Sequence, residues 1–371
     1  MIPGMRATVA AAAVVLAAAV PLPAQEPPAA AVARQGFEAI ASGRAHDAAA
    51  LFDEALKAAP REPRLLLGAG IVAQMLGRPD EARRHLLTAL KYEPGFTAAS
   101  VVLGEVLYRA GDLEGAMSAY DLALAQPGIE AAPREKLSRK LEAWRKERDL
   151  HSRFGQRLGD HFTVLFEGPA EEQLAQRAVE ILETVYWRVG SALFTYPPDV
   201  ITVVLYTREQ FRDVTQSPAW AGGAFDGRIR VPVQGALQNV REFERVLTHE
   251  FTHALVRAVA PRGVPAWLDE GLAVHFEGSD AAHRREAVRR SPELVPFGQL
   301  ERSFERLGEE AARIAYAQSA VAVDLLIEHA GSQALANLLI DIGGGARFAD
   351  AFERHVFMPY SDLQKRVSGI D

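Results

Sequence analysis

The 371-residue chain contains no cysteine. No disulfide can staple it and no thiolate can bind a metal, so any transition-metal site must be built from histidine, aspartate and glutamate. Such a donor set suits a catalytic zinc site with one open position better than a closed structural one. Excess positive charge is missing as well: 41 Lys and Arg against 48 Asp and Glu give a formal net charge of −7, which argues against nucleic acid as a partner. Long hydrophobic runs are also scarce. The most extended, residues 7–20, follows a lone Arg6 and precedes Pro21-Leu22-Pro23-Ala24. It is too short to span a bilayer comfortably, and the small Ala24 before Gln25 suits cleavage. Residues 1–24 therefore read as a secretory signal peptide and the mature chain as exported, periplasmic or extracellular, with no transmembrane span. An uncleaved anchor is the alternative. With neither a twin arginine nor a cysteine, the segment offers no Tat signature and no lipid attachment site.

What is present is an ordinary globular composition, 49% hydrophobic and 24% charged, in a length that suggests two or three domains. Residues 33–127 repeat themselves with a period of 34, the length of a tetratricopeptide unit. Gly43, Gly77 and Gly111 fall in register, as do Ala48, Ala82 and Ala116. Phe52, Leu86 and Tyr120 follow, then Ala55, Ala89 and Ala123, and the columns close on Pro60, Pro94 and, one residue short, Pro127. Small residues let paired helices approach, the bulky residue fills the gap between them, and the proline ends each second helix. The expectation is an all-α solenoid over 33–150, with three repeats capped by a charged helix from Pro133 to Leu150. Such arrays present a surface to a peptide or protein, and a spacer is the other reading. Arg83, Arg84 and the cluster from Arg139 to Arg148 alternate with glutamates and read as solvated helix faces.

The pattern changes at about Ser152. His161–Phe166 and Val200–Tyr206 predict strands, with a helix between them from Pro169 to about Ala192; Ala224–Val233 predicts a third strand, whose Pro232 favours a sheet edge. Asn239, followed three residues later by Glu242, reads as a capping box, and an apolar stripe from Val246 to Ala258 carries that helix to Pro261. A second helix starts at Pro265 and runs to about Phe276, with Gly278 just past its end. Helical patterns over 309–329, 333–341 and 347–356 complete an α+β domain spanning 152–371.

Chemistry concentrates in Thr248-His249-Glu250-Phe251-Thr252-His253. A helix advances about 100° per residue, so histidines four apart share a face and can hold one zinc ion. Glu250 lies one step round, where it cannot easily join the ligands but can reach an attacking water as a general base. A buried structural histidine pair is the bland alternative, and a costly one in an apolar helix. A third ligand is still required. The residue six beyond His253 is Val259, which excludes the His-rich arrangement of metzincins. Glu270 is the best candidate, because Pro261, Gly263 and Pro265 make a turn that lets the second helix pack back on the first, with Gly271 permitting close approach.

These residues resemble the peptidase MA-like domain of the gluzincin metallopeptidases. The likeness rests on Thr248-His249-Glu250-Phe251-Thr252-His253-Ala254-Leu255 and on Pro265-Ala266-Trp267-Leu268-Asp269-Glu270-Gly271-Leu272-Ala273, and it extends weakly over 160–368, including Ala315-Tyr316-Ala317-Gln318-Ser319. It implies a small mixed sheet over a helical lower part, zinc held by His249, His253 and Glu270, and Glu250 as the catalytic carboxylate. The residue before the third ligand is Asp269 where thermolysin-like members have Asn. Asp269 is a candidate partner for the free nitrogen of His249 or His253, or else an ordinary acid in a first helical turn. Tyr316 is a candidate oxyanion donor, yet it also shares an apolar stripe with Ala320, Val323 and Ile327. His275, about 140° round the helix from Glu270, suits packing or the rim, and His283 suits the surface. Ala221-Gly222-Gly223-Ala224-Phe225 leads into the proposed edge strand, which in the resembling enzymes binds extended substrate. The expected activity is hydrolysis of peptide bonds in a peptide or protein substrate, with the repeats recruiting substrate or partner. The alternatives are a metal-binding interaction module without turnover and a zinc hydrolase acting on another bond, such as one in cell-wall peptides.

Overall fold

The computed structural model describes residues 28–215, 223–233, 236, 239–291, 293–304 and 307–369. The proposed signal peptide, as well as Ala221 and Gly222, lies outside the described residues. The chain divides into two compact units that meet between Arg153 and Phe154.

Among the described residues the N-terminal unit is helical. Its pairs are α1 (Pro28–Ala41) with α2 (Ala45–Ala58), α3 (Pro63–Met75) with α4 (Pro79–Tyr92), and α5 (Thr97–Arg109) with α6 (Leu113–Leu124), followed by α7 (Ala131–His151). The 34-residue columns explain the packing. Gly43, Gly77 and Gly111 all take positive φ, between 71° and 90°, to turn the chain between paired helices, where any other residue is strained. Phe52, Leu86 and Tyr120 are fully buried, and each lies where a neighbouring helix offers a bare glycine: Gly36 and Gly68 for Phe52, Gly70 for Leu86, Gly104 for Tyr120. Trp144 of α7 closes the end of the array by stacking on Tyr108 at 4.7 Å. Several arginines of this unit form short-range surface pairs, such as Arg83–Asp80 and Arg145–Glu142.

The C-terminal unit is α+β. Its mixed five-stranded sheet has the order β1 (Phe154–Leu158), β2 (Phe162–Glu167), β3 (Ile201–Tyr206), β5 (Ile229–Pro232), β4 (Ala224–Phe225). The β2–β3 and β3–β5 pairs are parallel, and the two outer pairs are antiparallel. Helix α8 (Glu172–Ala192) makes the crossover between β2 and β3 and buries Leu174, Ala178, Leu182, Val185 and Val189 at helical spacing.

Two sequence expectations change here. The segment Ala224–Val233 is a hairpin and not one strand, because Gly227 at φ 113° reverses the chain. The sheet edge is therefore β4, while Pro232 ends the inner strand β5, beyond the two residues that β4 pairs. Strand β1 was not anticipated: its Gly155, Gln156 and Arg157 lack the β-branched, alternating signature, and its stability comes from pairing with β2.

After α9 (Arg208–Thr215), helices α10 (Val240–Val259) and α11 (Ala266–Phe276) form the core of the lower part, joined by a turn in which Gly263 takes φ 84°. The Asn239 side chain caps α10 by accepting from the Glu242 N–H at 3.2 Å. Helices α12 (Ala281–Arg290), α13 (Phe297–Leu300), α14 (Glu309–Ala330), α15 (Ser332–Gly343), α16 (Phe348–Val356) and α17 (Tyr360–Ser368) pack around that pair. Trp267 is fully buried against Phe297, Phe348 and Tyr360, and its indole N–H donates to the Tyr360 hydroxyl at 2.9 Å, fixing the roll of α11.

A polar brace ties α11, α12 and α14. Asp324 meets His275 Nδ1 at 2.6 Å and accepts from Arg284 Nη2 at 2.9 Å. Burial pushes the Asp324 carboxyl up, but the bonds from His275 and Arg284 outweigh it and hold the group below its ordinary value. A depressed folded pKa means that the stabilisation is complete above the unfolded carboxylate range, near pH 4, and is lost as pH falls through the folded value. Asp324→Asn should cost about 3 kcal/mol at pH 7, roughly 5–10 °C in Tm. It should also flatten the acid limb of the stability profile measured by thermal melts across pH; an unchanged acid limb would contradict this role.

Candidate metal centre

Helix α10 is buried on nearly every side from Val246 to Val256, so its polar residues must find partners inside the protein. Phe251 points into the core, with its ring 5.7 Å from Phe162 and 5.9 Å from Tyr186. That anchorage turns His249 and His253 toward α11. On α11, Gly271 lies directly against the Ser319 carbonyl of α14, and a methyl group there would sit 2.8 Å from Val323 Cγ2. With Gly271 facing α14, its neighbour Glu270 faces α10. Arg188 of α8 locks the two helices together by donating to the Phe276 carbonyl at 3.1 Å and to Thr248 Oγ1 at 3.3 Å.

The structure brings together the three residues that spacing alone proposed. Glu270 Oε2 lies 3.5 Å from His249 Nε2 and 3.4 Å from His253 Nε2, and one ligand atom from each of the three residues lies within 4.8 Å of the others. A tetrahedral zinc with bonds of 2.0–2.1 Å needs ligand-to-ligand edges of about 3.4 Å. The donor set and the two edges to Glu270 match such an ion.

Both outer nitrogens of the imidazoles meet carboxylates. His253 Nδ1 lies 2.9 Å from Asp269 Oδ1, and His249 Nδ1 lies 2.8 Å from Glu277 Oε2. Asp269 thus partners His253. The sequence reading missed Glu277, 28 residues beyond His249, whose only local sign is its place just before Gly278 at the end of α11. Burial pushes both imidazoles down, yet their carboxylate neighbours outweigh it: His249 rises to about 9 through Glu270 and Glu277, and His253 to about 10 through Asp269 and Glu270. Burial raises the Glu270 carboxyl, but His253 and His249 hold it well below the usual range. Four buried carboxylates, those of Glu250, Asp269, Glu270 and Glu277, surround two imidazoles, and Arg245 Nη1 joins Glu277 at 2.9 Å. With neutral imidazoles this pocket carries a net negative charge, which a divalent cation neutralises.

Glu250 is buried beside the cluster, and among the described residues no hydrogen bond engages its carboxylate. Gly223, at the entry to β4, packs on it: a methyl group there would lie 2.6 Å from Glu250 Oε1. Tyr316 is half-buried on α14, one turn before Ser319, its ring nearly perpendicular to that of Phe304 with the centroids 5.3 Å apart. His275 belongs to the Asp324 brace, and His283 is exposed.

Residues 195–366 match the family model described as Peptidase MA superfamily. They form a Peptidase MA superfamily domain. Two models described as tetratricopeptide repeat match residues 39–91 and 67–133, so tetratricopeptide repeats precede it. No curated protein matches the chain. The peptidase-superfamily match covers α10 and α11 entire, so the three converging residues fall within it.

Replacing Glu270 by Ala should lower the divalent metal retained after gel filtration at least tenfold, since it removes one of the three converging donor atoms and leaves two imidazoles with one anionic neighbour fewer. Full retention, read by elemental analysis, would point to another third ligand.

Proposed function

We propose that this protein is a zinc-dependent peptidase whose tetratricopeptide array recruits its substrate or a partner protein. The observation that carries the proposal is the convergence of His249, His253 and Glu270 on one point, with the buried carboxylate of Glu250 alongside. His249 Nε2, His253 Nε2 and Glu270 Oε2 would hold the ion, and the absence of thiolates leaves the site suited to catalysis. Zinc bound there supplies Lewis acidity, which polarises a carbonyl and acidifies water.

The remaining steps belong to the chain's own side chains. Glu250 takes a proton on its carboxylate from the attacking water and returns it to the leaving amine nitrogen as the C–N bond breaks, so no covalent enzyme intermediate is needed. The Tyr316 hydroxyl donates a hydrogen bond to the carbonyl oxygen as negative charge develops there. Support for this role is its place on α14, one turn from the Ser319 contact with the helix of Glu270. Strand β4 is the terminal strand of the sheet among the described residues and begins next to Gly223, against Glu250. An extended peptide pairing with that strand would lay its backbone beside the general base, reading chain conformation more than side chains. Export rests on residues 1–24; among the described residues no helix is long and apolar enough to cross a membrane.

The deciding comparison is the unmodified protein against Glu250→Gln, on a mixed peptide library with zinc measured in both. Both should hold one equivalent of zinc, and cleavage should fall by 10²-fold or more in the variant. Equal cleavage would remove Glu250 from the mechanism. Zinc bound without any cleavage by either protein would favour a non-catalytic interaction module.

Two further variants probe the surroundings of Glu250 and the oxyanion. Gly223→Ala should displace the Glu250 carboxylate and reduce kcat on the order of 10²-fold, with zinc content and Tm nearly unchanged. Unaltered kinetics would show that the strand and the carboxylate do not constrain each other. Tyr316→Phe should lower kcat by about 10²-fold at constant Tm. A drop in Tm with kcat intact would assign Tyr316 to packing.

A further inference from the structure

His249 is held at both ring nitrogens, and only one of those contacts belongs to the ligand set. Its Nδ1 meets Glu277 Oε2 at 2.8 Å, while the other oxygen of Glu277 takes Arg245 Nη1 at 2.9 Å. Arg245 lies one turn before His249 on α10, and its Nε and Nη2 donate to the two oxygens of Glu242 at 2.8 and 2.6 Å. A continuous chain Glu242–Arg245–Glu277–His249 therefore runs from the solvent-facing start of α10 to the metal centre. The Glu277 side chain is only 5% exposed, so water has little access to its two oxygens.

We propose that Glu277 is a positioning residue for the metal centre: it fixes the ring orientation of His249 and which nitrogen carries the proton, and Arg245 holds it in place. The proposal rests on the reading of His249, His253 and Glu270 as zinc ligands. An ionised carboxylate only accepts hydrogen bonds, so Nδ1 keeps its proton when an ion binds, and Nε2, on the Glu270 side, is the nitrogen whose lone pair would hold the ion. Without that acceptor the ring can rotate or change tautomer, and each alternative removes the lone pair from the position the ion needs.

The placement of Glu277 distinguishes this from a simple tie between two helices. It is the residue that caps the C-terminus of α11, followed by Gly278 at φ 79°, and Arg188 pins the Phe276 carbonyl beside it. Asp269, in the first turn of the same helix, supports His253. One helix thus delivers the third ligand from its middle and a carboxylate to each imidazole from its two ends. His253 and its partner are nearly inaccessible, whereas His249 is 18% exposed, so His249 is the imidazole with more freedom to lose.

Zinc affinity, measured on metal-stripped full-length protein by competition with a chromophoric chelator, tests this, together with melting curves of the metal-free forms. Glu277→Ala should weaken zinc binding by about 10- to 100-fold. Glu277→Gln, whose amide oxygen still accepts from Nδ1, should recover most of the loss, and Arg245→Met should give an intermediate loss. If these variants only lower the Tm of the metal-free protein and their affinities stay within twofold of the unmodified chain, Glu277 is a helix tie and the proposal is overturned. Should the unmodified protein itself fail to bind zinc, the ligand assignment falls and this inference with it, an outcome distinct from unchanged affinity among zinc-binding variants. Arg245→Met keeps the test decisive if Glu277→Ala does not fold.

Discussion

The constraint on which this structure turns is electrostatic: four carboxylates and two imidazoles are buried together between α10 and α11. Burying charge is costly unless each group finds an opposite, and here every imidazole nitrogen faces a carboxylate oxygen. In the metal-free state protons on His249 and His253 supply the balance, which is why both imidazoles titrate far above their ordinary value despite burial. A divalent cation would perform the same neutralisation at the one point where three donor atoms meet. The electrostatic need for a cation and the geometry for holding one are thus the same feature of the fold.

The apolar scaffold serves that feature. Close approach of α11 to α14 requires the missing side chain at Gly271, and the roll of α11 is set by Trp267 in its aromatic cage under Tyr360. The sheet contributes through Phe162, on which Phe251 packs, and through the hairpin whose edge begins at Gly223, against Glu250. Sites built on packed helices hold their donors more closely than sites on loops, and here three helices and a strand converge. The tetratricopeptide repeats follow a different economy, in which each helix pair buries its bulky residue against a neighbour's glycine and the same solution recurs every 34 residues.

Much of this was legible in the sequence, for identifiable reasons. The repeats were readable because five columns recur in fixed register, and Gly43, Gly77 and Gly111 all turn out to need positive φ. Helices α10 and α11 were readable from a cap at Asn239, an apolar stripe, a proline start and a glycine stop. The sheet was less so. Strand β1 has no apolar alternation of its own, and the segment Ala224–Val233 looked continuous because nothing but Gly227 marks its reversal.

The candidate site divides along the same line. The sequence by itself determined the residues whose relation is local: His249 and His253 share a helix face because they are four apart, and Glu250 stands beside that face because helical geometry puts it there. It also narrowed the third ligand to Glu270, through a turn that folds one helix onto the next. Only the tertiary structure decided which carboxylate supports which imidazole, that Glu277 and Arg245 belong to the site, and that Gly223 abuts Glu250. The physical reason is that such pairings depend on the roll and crossing of packed helices. These are fixed by distant contacts, such as Trp267 with Tyr360 and Gly271 with Ser319, that leave no periodic mark on the chain.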